Sequence, residues 1–415
     1  MTPDASLATT DQPGPLIGLA RLMRMAYAGE DLGPLGSELI QRASGDGPAV
    51  DAHALMDLSI VLQLRGDHDL AMRVQREALA VQQVYSPPTN AVPPVLRVLA
   101  LVGPGDLMSN TPLEFMLEDS DIALDMLYVA PQLPLPAALP EHDVLFVAIG
   151  ESQVNLPLLA AVDDAVKAWP KPALNQPDRI AALSRDKVSM VLATARGVYT
   201  PDTVRVTRHA FAQLGEGSLA LSEVIPEGGF PLIVRPVDSH AGRGLARIDD
   251  AAAIAGYLET QPDEMFYVSL FVDYRGPDGL YRKYRVVLID GRPYLCHLAI
   301  SEHWMIHYLN AGMEESAEKR AEEARCMASF DADFAHRHAG AFLAIHELTG
   351  LDFVGIDCGE TKDGRLLVFE VDSDMIVHAI DPVDLFPYKQ PQMRKVFGAL
   401  RTMLLEAAAR GAPAG

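Results

Sequence analysis

Hydrophobic residues in the first part of the chain recur with the period of a helix. The recurrence has spacings of three and four residues and forms two runs: Leu55, Leu58 and Leu62, then Leu70, Val74, Ala78 and Val81. Such spacing aligns apolar side chains along one face of a helix. Gly66-Asp67 separates the two runs. The segment therefore predicts an antiparallel helix pair inside a helical region, residues 1–90.

The helix pair, residues 52–87, resembles a single tetratricopeptide-type repeat. Small residues stand at Ala71 and Ala78, and the segment closes with Ser86-Pro87-Pro88. One repeat cannot bury its own apolar face. Two interpretations stay open: the helices cap the next domain, or they bind a protein partner.

The pattern changes after residues 86–95, a stretch with four prolines that predicts a linker. Residues 98–102 and 144–149 are continuous apolar runs followed by glycine, which is typical of buried parallel strands. With the elements between them, they predict βαβ units and a parallel sheet over residues 96–180. In such a sheet, the loops at the strand ends near Gly103 and Gly150 hold the ligand.

Mixed α and β patterns follow from about residue 181 to the end. Helices are predicted at 181–196, 316–348 and 391–410, and strands at 232–236, 266–272, 285–289, 294–300, 353–358 and 365–371. Asp290-Gly291 marks a hairpin turn between two of the strands. The fold class is therefore α/β combined with α+β.

Composition and charge narrow the function classes. The chain has 415 residues, 49% of them hydrophobic, which predicts about two to three globular domains. Lys and Arg number 34 against 56 Asp and Glu, a formal net charge of −22. Such a surface repels phosphate backbones, so we expect no nucleic-acid partner. A local basic pocket or a bound Mg²⁺ still permits a nucleotide site.

Three scattered cysteines and the N-terminal sequence bear on the compartment. Cys296, Cys326 and Cys358 have neither a disulfide nor a zinc spacing. The N-terminus lacks the charged and apolar regions of a signal peptide, and no apolar run approaches the roughly 18 residues of a membrane span. We expect a cytoplasmic protein without membrane contact.

Three carboxylates end two adjacent strands. Asp357 lies in VGIDC, and Glu370 and Asp372 lie in LLVFEVD. Residues two apart on a strand share a face, and the hairpin between the strands brings Asp357 beside them. Such carboxylates repel one another unless a cation binds, and oxygen ligands suit Mg²⁺ or Mn²⁺. The alternative, a solvated acidic edge, fits poorly because each acid interrupts an apolar strand.

A strand followed by a glycine-containing loop is the second signal. Residues 231–236 (PLIVRP) bring Arg235, and the loop VDSHAGRG follows with Ser239, Gly242 and Gly244. Backbone N–H groups of such a loop can bind phosphates, and glycine permits the positive φ angles that it requires. A simple hairpin turn is the alternative.

Together these residues resemble the ATP-grasp superfamily of carboxylate–amine ligases, nearest to the RimK-type, glutathione synthetase and D-alanine–D-alanine ligase branches. The resemblance covers residues 96–405. Asp357, Glu370 and Asp372 match its metal triad, although the family usually has Asn in the last place. Lys187 matches a helix-borne Lys. Arg235 stands where the family has a strand-borne Lys before the glycine loop.

The resemblance implies a domain order and a cofactor, ATP with Mg²⁺ (or Mn²⁺). An α/β domain (96–180) precedes a small lobe (181–262) and a large lobe (263–410) that carries the metal site. The backbone around Ser269, Leu270 and Phe271 would hold the purine, and Asp273 the ribose. The cofactor-binding set is then Lys187, Arg235, Ser239, Gly242, Gly244, Ser269, Leu270, Phe271 and Asp273.

The resemblance also implies the catalytic residues and the substrate residues. A strand-borne Arg in the family stabilises the transferred phosphate or the substrate carboxylate, and Arg285 fits that place beside Arg235. The candidates for the substrate pocket are Arg282, His297, Trp304, His307 and His378. His303 and His307 share a face if their segment is helical. The alternatives are that Arg282 is a surface charge and that the histidines are buried in the core with their hydrogen bonds satisfied.

The implied reaction is ATP-dependent ligation. A substrate carboxylate takes the γ-phosphate to give an acylphosphate and ADP, and an amine then displaces phosphate to form an amide. The substrates would be small molecules or peptides. Two other functions stay open: phosphoryl transfer without ligation, and a non-catalytic nucleotide-binding scaffold. A homodimer and a partner for the helical extension also stay open.

Overall fold

A computed structural model of the chain describes residues 14–44, 50–226, 228–239 and 242–411. Residues 1–13, on which the expectation about a leader rests, lie outside this part. The described residues form a mixed α/β structure with three sheets. No helix among them is long and apolar enough to cross a membrane.

Four helices begin the described chain. They are α1 (Leu19–Tyr27), α2 (Gly33–Ala43), α3 (Ala52–Leu64) and α4 (His68–Val81). The predicted helix pair around Gly66 is present as α3 and α4. Gly66 adopts φ 86°, a left-handed conformation that glycine permits. Asp51 caps α3 by accepting the N–H of Ala54 at 3.0 Å.

A buried carboxylate holds the chain that enters α1. Asp57 in α3 is fully buried, and it accepts the N–H groups of Ile17 at 2.8 Å and Gly18 at 3.0 Å. Burial raises the pKa of Asp57 to about 6. These bonds fix the start of α1 against α3.

The first sheet follows the helices and contains one strand that the sequence did not predict. Its elements are β1 (Val84–Tyr85), β2 (Leu96–Val102), α5 (Leu113–Leu117), β3 (Ile122–Tyr128), β4 (Val144–Val147), α6 (Leu156–Lys167) and β5 (Ala173–Leu174). The strand order is β1-β3-β2-β4-β5, with β2 to β5 parallel as predicted and β1 antiparallel to β3. Residues 86–95 therefore connect two strands of one sheet.

The helices also bond directly to this α/β unit. Glu114 in α5 accepts the N–H of Leu19 at 3.0 Å, and Arg24 of α1 forms an ion pair with Glu118. Both links join α1 to α5. The extension thus packs on the α/β unit, although its resemblance to a tetratricopeptide repeat stays a prediction.

The second sheet is small and wholly antiparallel. The elements that lead through it are α7 (Pro177–Ile180), α8 (Arg185–Leu192), β6 (Val198–Tyr199), β7 (Thr203–Thr207), α9 (Arg208–Glu216), α10 (Leu221–Val224), β8 (Leu232–Pro236), β9 (Ala246–Ile248), α11 (Ala253–Thr260) and β10 (Met265–Leu270). The order in this small sheet is β7-β10-β8-β9. Its buried apolar cluster, with the residues packed on it, lies entirely within residues 204–270.

The third sheet is larger and ends the fold. Its elements are β11 (Tyr281–Ile289), β12 (Arg292–Ser301), a 3₁₀ turn (Tyr308–Asn310), α12 (Ala317–Ser329), α13 (Phe334–Arg337), α14 (Ala339–Thr349), β13 (Phe353–Glu360), β14 (Leu366–Asp372) and α15 (Lys389–Gly411). The order in this large sheet is β12-β11-β13-β14-β6. The predicted turn at Asp290-Gly291 joins β11 to β12.

The single helix predicted over residues 316–348 is wrong, because the chain breaks into α12, α13 and α14. The backbone leaves the helical conformation at Asp333, with φ −116° and ψ −86°. Beside this break, Phe330 and Phe334 are buried and stack at 5.8 Å, and Phe334 stacks on Tyr284 of β11 at 4.1 Å.

Shared cores join the α/β unit to the large sheet. One buried cluster combines Leu99 and Leu145 with Val286 and Ile356, and a second combines the opposite faces of those strands with α15. The small sheet faces the large sheet across a cleft. The predicted boundaries at 90, 180 and 262 stay predictions.

The buried carboxyl of Glu114 predicts a pH-dependent stability. Burial raises its pKa from an ordinary value near 4.5 to about 8, so the folded state holds a proton that the unfolded state releases. Stability must then fall as pH rises from about 4.5 to about 8. Glu114→Gln keeps an acceptor for Leu19 and removes this loss.

We expect the free energy of unfolding of the parent, measured in urea, to fall more between pH 5 and pH 8 than that of Glu114→Gln, by up to about 1.4 kcal/mol for each pH unit. Glu141→Gln, at an exposed position of the same unit, should follow the parent. Parallel pH profiles for the parent and Glu114→Gln would contradict the prediction.

Candidate functional site

A cavity of about 570 Å³ lies in the cleft between the small and large sheets. Strands β8 and β10 supply one wall, and β11 to β14 supply the other. Most of the residues proposed from the sequence line this cavity: Arg235, Gly242, Ser269, Leu270, Phe271, Arg285, His297, Trp304, His307, Asp357, Glu370, Asp372 and His378. Lys187, Gly244, Asp273 and Arg282 are not among its lining residues.

Asp357 is the central carboxylate of the large sheet. It pairs across the strands with Arg285 and with Glu370. Its oxygens accept Lys283 Nζ at 2.8 Å, Arg285 Nε at 2.8 Å and Arg285 Nη2 at 3.0 Å. Burial alone would raise the pKa of Asp357, but Arg285 and then Lys283 outweigh burial and hold the pKa well below its ordinary value. Asp357 is therefore an anion clamped by two cations.

Lys283 is a cavity residue that the sequence reasoning missed. Strand alternation is the signal that would have found it, because Lys283 and Arg285 lie two apart on β11 and share a face. Arg282 points to the other face, where it binds Asp278 at 2.7 Å and Glu322 at 3.0 Å. The structure thus separates Arg282 from the cavity.

Arg185 is the second cation that the sequence reasoning missed. It forms an ion pair with Glu370 and donates from Nη1 to the carbonyl of Phe369 at 3.2 Å. The sequence pointed instead to Lys187 on the same helix. Lys187 Nζ donates to the carbonyl of Ala181 at 2.8 Å, so the structure places it away from the cavity lining.

The last predicted metal ligand, Asp372, has an acidic neighbour. Asp372 Oδ1 accepts the backbone N–H of Asp374 at 3.2 Å. Burial, followed by the charge of Asp372, raises the pKa of Asp374 well above its ordinary value. Burial and the neighbouring charge thus favour the neutral form of the Asp374 carboxyl.

The predicted metal triad does not form a metal-binding group in this arrangement. Asp357, Glu370 and Asp372 line one cavity, as expected, and carboxylate oxygens suit Mg²⁺. However, the part of the chain that the structure describes contains no group of three His, Cys, Asp or Glu side chains placed to hold a metal ion. Side-chain cations take the oxygens of Asp357 and Glu370 instead.

Arg235 at the end of β8 is a cation without an acidic partner. Nε donates to Ser239 Oγ at 3.0 Å, and Nη2 donates to the carbonyl of Ser239. Within the described residues, no carboxylate lies within ion-pair distance of it. Burial, followed by repulsion from Arg185, lowers the pKa of Arg235 to about 9. Among the described residues, the cavity therefore holds a positive charge without a directly bonded carboxylate.

The loop after Arg235 requires glycine. Gly242 lines the cavity and has φ 76°. Gly244 has φ 64°, and a Cβ there would approach Pro236 Cδ to 2.6 Å. Ser239 lines a small adjoining cavity of about 40 Å³. His240-Ala241, in the middle of the predicted phosphate loop, lies outside the described residues.

The strand end predicted to hold a purine forms an apolar slot. Ser269, Leu270 and Phe271 line the cavity, and the ring of Phe271 meets that of Trp304 edge-on at 5.9 Å. The N–H of Phe271 donates to the carbonyl of Pro231 at 3.1 Å. That group is therefore already used and does not serve a ligand.

Asp273, predicted to bind the ribose, lies outside the cavity lining. It accepts Arg275 Nε at 2.8 Å and Lys362 Nζ at 2.9 Å. The bond from Arg275 is the main reason that the pKa of Asp273 is lowered. Both oxygens thus serve surface ion pairs.

Four of the five predicted substrate residues line the cavity, namely His297, Trp304, His307 and His378, and Trp304 lies beside Phe271. His297 Nε2 is buried without a hydrogen-bond partner among the described residues, and burial followed by Arg285 holds the His297 pKa well below its usual range. Its ring is therefore neutral. The segment that carries His303 and His307 is irregular up to the 3₁₀ turn, so the helical relation considered for these two histidines is absent.

No family model matches the chain. Similar solved structures include a D-alanine–D-alanine ligase from Bacillus anthracis complexed with ATP (15% identity, 76% of this chain and 98% of that chain, TM-score 0.46). They also include a RimK domain ATP-grasp protein from Sphaerobacter thermophilus (16%, 74% and 99%, TM-score 0.40) and the VanG D-Ala:D-Ser ligase from Enterococcus faecalis (13%, 75% and 99%, TM-score 0.46). At TM-scores below 0.5 and identities of 13–16%, these similarities assign neither a family nor an activity to this chain.

Because Lys283 and Arg285 bond to Asp357, removing the charge of Asp357 should destabilise the protein more than removing the charge of an exposed carboxylate. Asp357→Asn leaves Lys283 and Arg285 buried without their counter-ion, which should lower the free energy of unfolding by about 3 kcal/mol. Asp278→Asn removes a carboxylate from the exposed pair with Arg282 and should cost less than about 1 kcal/mol. Urea denaturation at pH 7 measures both.

The depressed pKa of Asp357 also sets the direction of the pH effect. Its contribution to stability is present above the unfolded value near 3.8 and is lost as pH falls below it. The difference in the free energy of unfolding between the parent and Asp357→Asn should therefore become smaller at acidic pH. Equal effects of Asp357→Asn and Asp278→Asn at pH 7 would show that the clamp is not a stabilising element.

Proposed function

We propose that the protein is an ATP-dependent ligase that joins a carboxylate to an amine, forming ADP and phosphate. The observation that carries the proposal is the uncompensated cation in the cleft. Arg235 lies beside Arg185 and a glycine loop, and no carboxylate among the described residues pairs with it. A phosphate chain supplies the negative charge that this place lacks.

The charge of the cavity supports the same proposal. The protein carries a formal net charge of −22, yet basic side chains outnumber acidic ones in the cavity lining. The basic residues are Arg185, Arg235, Lys283, Arg285 and Lys389, and the acidic ones are Asp357, Glu370, Asp372 and Asp381. A basic cavity in an acidic surface concentrates anions at one place.

The apolar slot supports a nucleotide as the source of the phosphates. Leu270 and Phe271 lie on the small sheet at one end of the cavity, and Arg235 lies on the neighbouring strand. The base of a nucleotide could pack flat against the slot while its phosphates bind Arg235. One ligand would then match both the apolar part and the basic part of the cavity. Ser269, Ser239 and Gly242 belong to the same proposed nucleotide site, whereas Lys187, Gly244 and Asp273 support it only through the resemblance.

Mg²⁺ (or Mn²⁺) enters the proposal as the counter-ion of ATP. Asp357, Glu370 and Asp372 have the oxygen donors that such ions prefer. Binding would require Asp357 and Glu370 to exchange their Lys and Arg partners. The resemblance supports this part of the proposal, and the observed pairing opposes it.

The chain would contribute positioning and charge rather than a covalent nucleophile. Lys283 and Arg285 neutralise negative charge on the group in transfer, and the walls of the cleft exclude water. The carboxylate oxygen bonds to the γ-phosphorus as the bond to ADP breaks. The amine nitrogen then bonds to the acyl carbon, releasing phosphate and a proton. A kinase of the same fold would instead stop after the first transfer.

Small-molecule or peptide substrates belong to the proposed function. A homodimer, a protein partner for the helical extension and a cytoplasmic location stay predictions from the sequence.

Arg235→Ala tests the proposed phosphate site. We expect ATP binding, measured by calorimetry with Mg²⁺ present, to weaken by more than about 1.5 kcal/mol, the lower range for a lost hydrogen bond to a charged group. Arg282→Ala removes a cation of the same type from outside the cavity and should leave the affinity unchanged. A folded parent protein without ATP affinity would overturn the proposal, and equal affinities of Arg235→Ala and the parent would place Arg235 outside the site.

Phosphate release tests the reaction. Amino acids, dipeptides and other small carboxylates, alone and with an amine, should show release that depends on ATP and on both substrates. Glu370→Gln should lower that rate at least about 100-fold, as expected for a charged group at the reacting centre. Glu360→Gln changes a carboxylate of the same hairpin that binds Arg337 outside the cavity, and it should retain the parent rate. A phosphorylated product formed without an amine would favour the kinase.

A further inference from the structure

The first helix of the extension reaches the cavity. Met23 and Tyr27 of α1 both line it. They lie four residues apart, which places them on one face of the helix. The ring of Tyr27 lies 5.9 Å from that of His378, one of the predicted substrate residues that line the cavity. The extension is therefore part of the cavity wall as well as a cap.

Other residues of α1 anchor the helix to the rest of the protein. Leu22 is fully buried in the core of the extension. Leu19 donates its N–H to Glu114, and Arg24 forms an ion pair with Glu118. Packing and bonds thus hold α1 in place, so Met23 and Tyr27 face the cavity from a rigid support.

Exposed apolar side chains surround this end of the cavity. Tyr27 is 40% exposed, Met305 37% and Leu309 67%, and all three line the cavity. Large apolar side chains that converge on a cavity are typical of a surface that a ligand covers.

The acidic residue at the same end is paired with a cation. The carboxylate of Asp381, the acidic residue next to Tyr27, accepts Lys389 Nζ at 3.1 Å. His378 packs between the rings of Tyr27 and Phe115. An uncharged group fits these surroundings better than a charged one, because a charge buried here would find no free partner.

We propose that α1 forms a specificity wall, in which Met23 and Tyr27 select an amine or carboxylate substrate whose side chain is apolar or aromatic. The proposal rests on the proposed function and adds the substrate class to it. Arg235 and the glycine loop bind the nucleotide at one end of the cleft, and the wall formed by α1 contacts the side chain of the second ligand at the other end. Met23 and Tyr27 are thus specificity residues that touch substrate, without a role in the transfer itself.

The test compares substrates that differ in the side chain alone. Phosphate release with ATP and Mg²⁺ is measured for glycine, L-leucine, L-phenylalanine, L-glutamate and L-lysine, each also as a dipeptide with glycine. The parent should prefer the leucine and phenylalanine members. Tyr27→Ala and Met23→Ala should each raise KM for those members at least tenfold, change kcat little, and leave the calorimetric affinity for ATP within twofold of the parent.

Two controls separate a role in selection from a role in folding. Tyr27→Phe keeps the ring and should retain the preference of the parent. Leu70→Ala removes an apolar side chain of almost equal exposure, 41%, from α4 of the same extension, outside the cavity lining, and it should leave every KM unchanged.

The outcomes distinguish the two proposals. Protein that fails to bind ATP overturns the proposed function and this inference together. If ATP binds and Tyr27→Ala leaves the preference unchanged, or if no apolar member of the panel exceeds glycine, the inference alone is overturned. A loss of preference in Leu70→Ala equal to that in Tyr27→Ala would also overturn it, because the effect would then come from the fold of the extension.

Discussion

The clamp of Lys283 and Arg285 on Asp357 sets the arrangement of the cleft. A buried carboxylate is costly unless it is paired and hydrogen-bonded, and the two cations come from one face of β11 while the acid comes from β13. The clamp therefore fixes which face of the large sheet looks into the cavity. Further along that face, Val287 and Ile289 join the core under α15. The same alternation thus produces a polar site at one end of the strand and a packed interior at the other.

The cations of the cleft differ in their bonding partners. This difference separates cations that pair with carboxylates of the protein from a cation that can bind a ligand. Lys283, Arg285 and Arg185 all have carboxylates within bonding distance. Within the part of the chain that the structure describes, Arg235 bonds only to the hydroxyl and carbonyl oxygens of Ser239. A cation held by neutral oxygens keeps most of its attraction for an incoming anion. The proposed phosphate site is accordingly at Arg235, although Arg285 carries an equal charge a short way across the cleft.

Sequence reasoning identified the strands because their signals are local, and it missed side chains whose placement depends on helix phase or strand face. The apolar runs of β2 and β4, the turn at Asp290-Gly291 and the carboxylates of β13 and β14 are all visible as short patterns. Strand β1 has two residues and stands before a proline-rich segment, so no period marks it. The choice of Lys187 instead of Arg185 rested on a family motif, and only the orientation of α8 shows which of the two faces the cleft. Tyr27 could not be anticipated, since a helical extension gives no local sign of what it covers.

The separate core of the small sheet has a thermodynamic consequence. Apolar side chains that pack only with one another order and disorder together, so residues 204–270 constitute a cooperative unit with its own free energy of local unfolding. The α/β unit and the large sheet, which share two cores, form a second unit. A ligand that spans the cleft bonds to both units and adds its binding free energy to the stability of each. Occupancy of the cleft then strengthens the coupling of two unfolding equilibria that the ion pair of Arg205 with Asp186 already links.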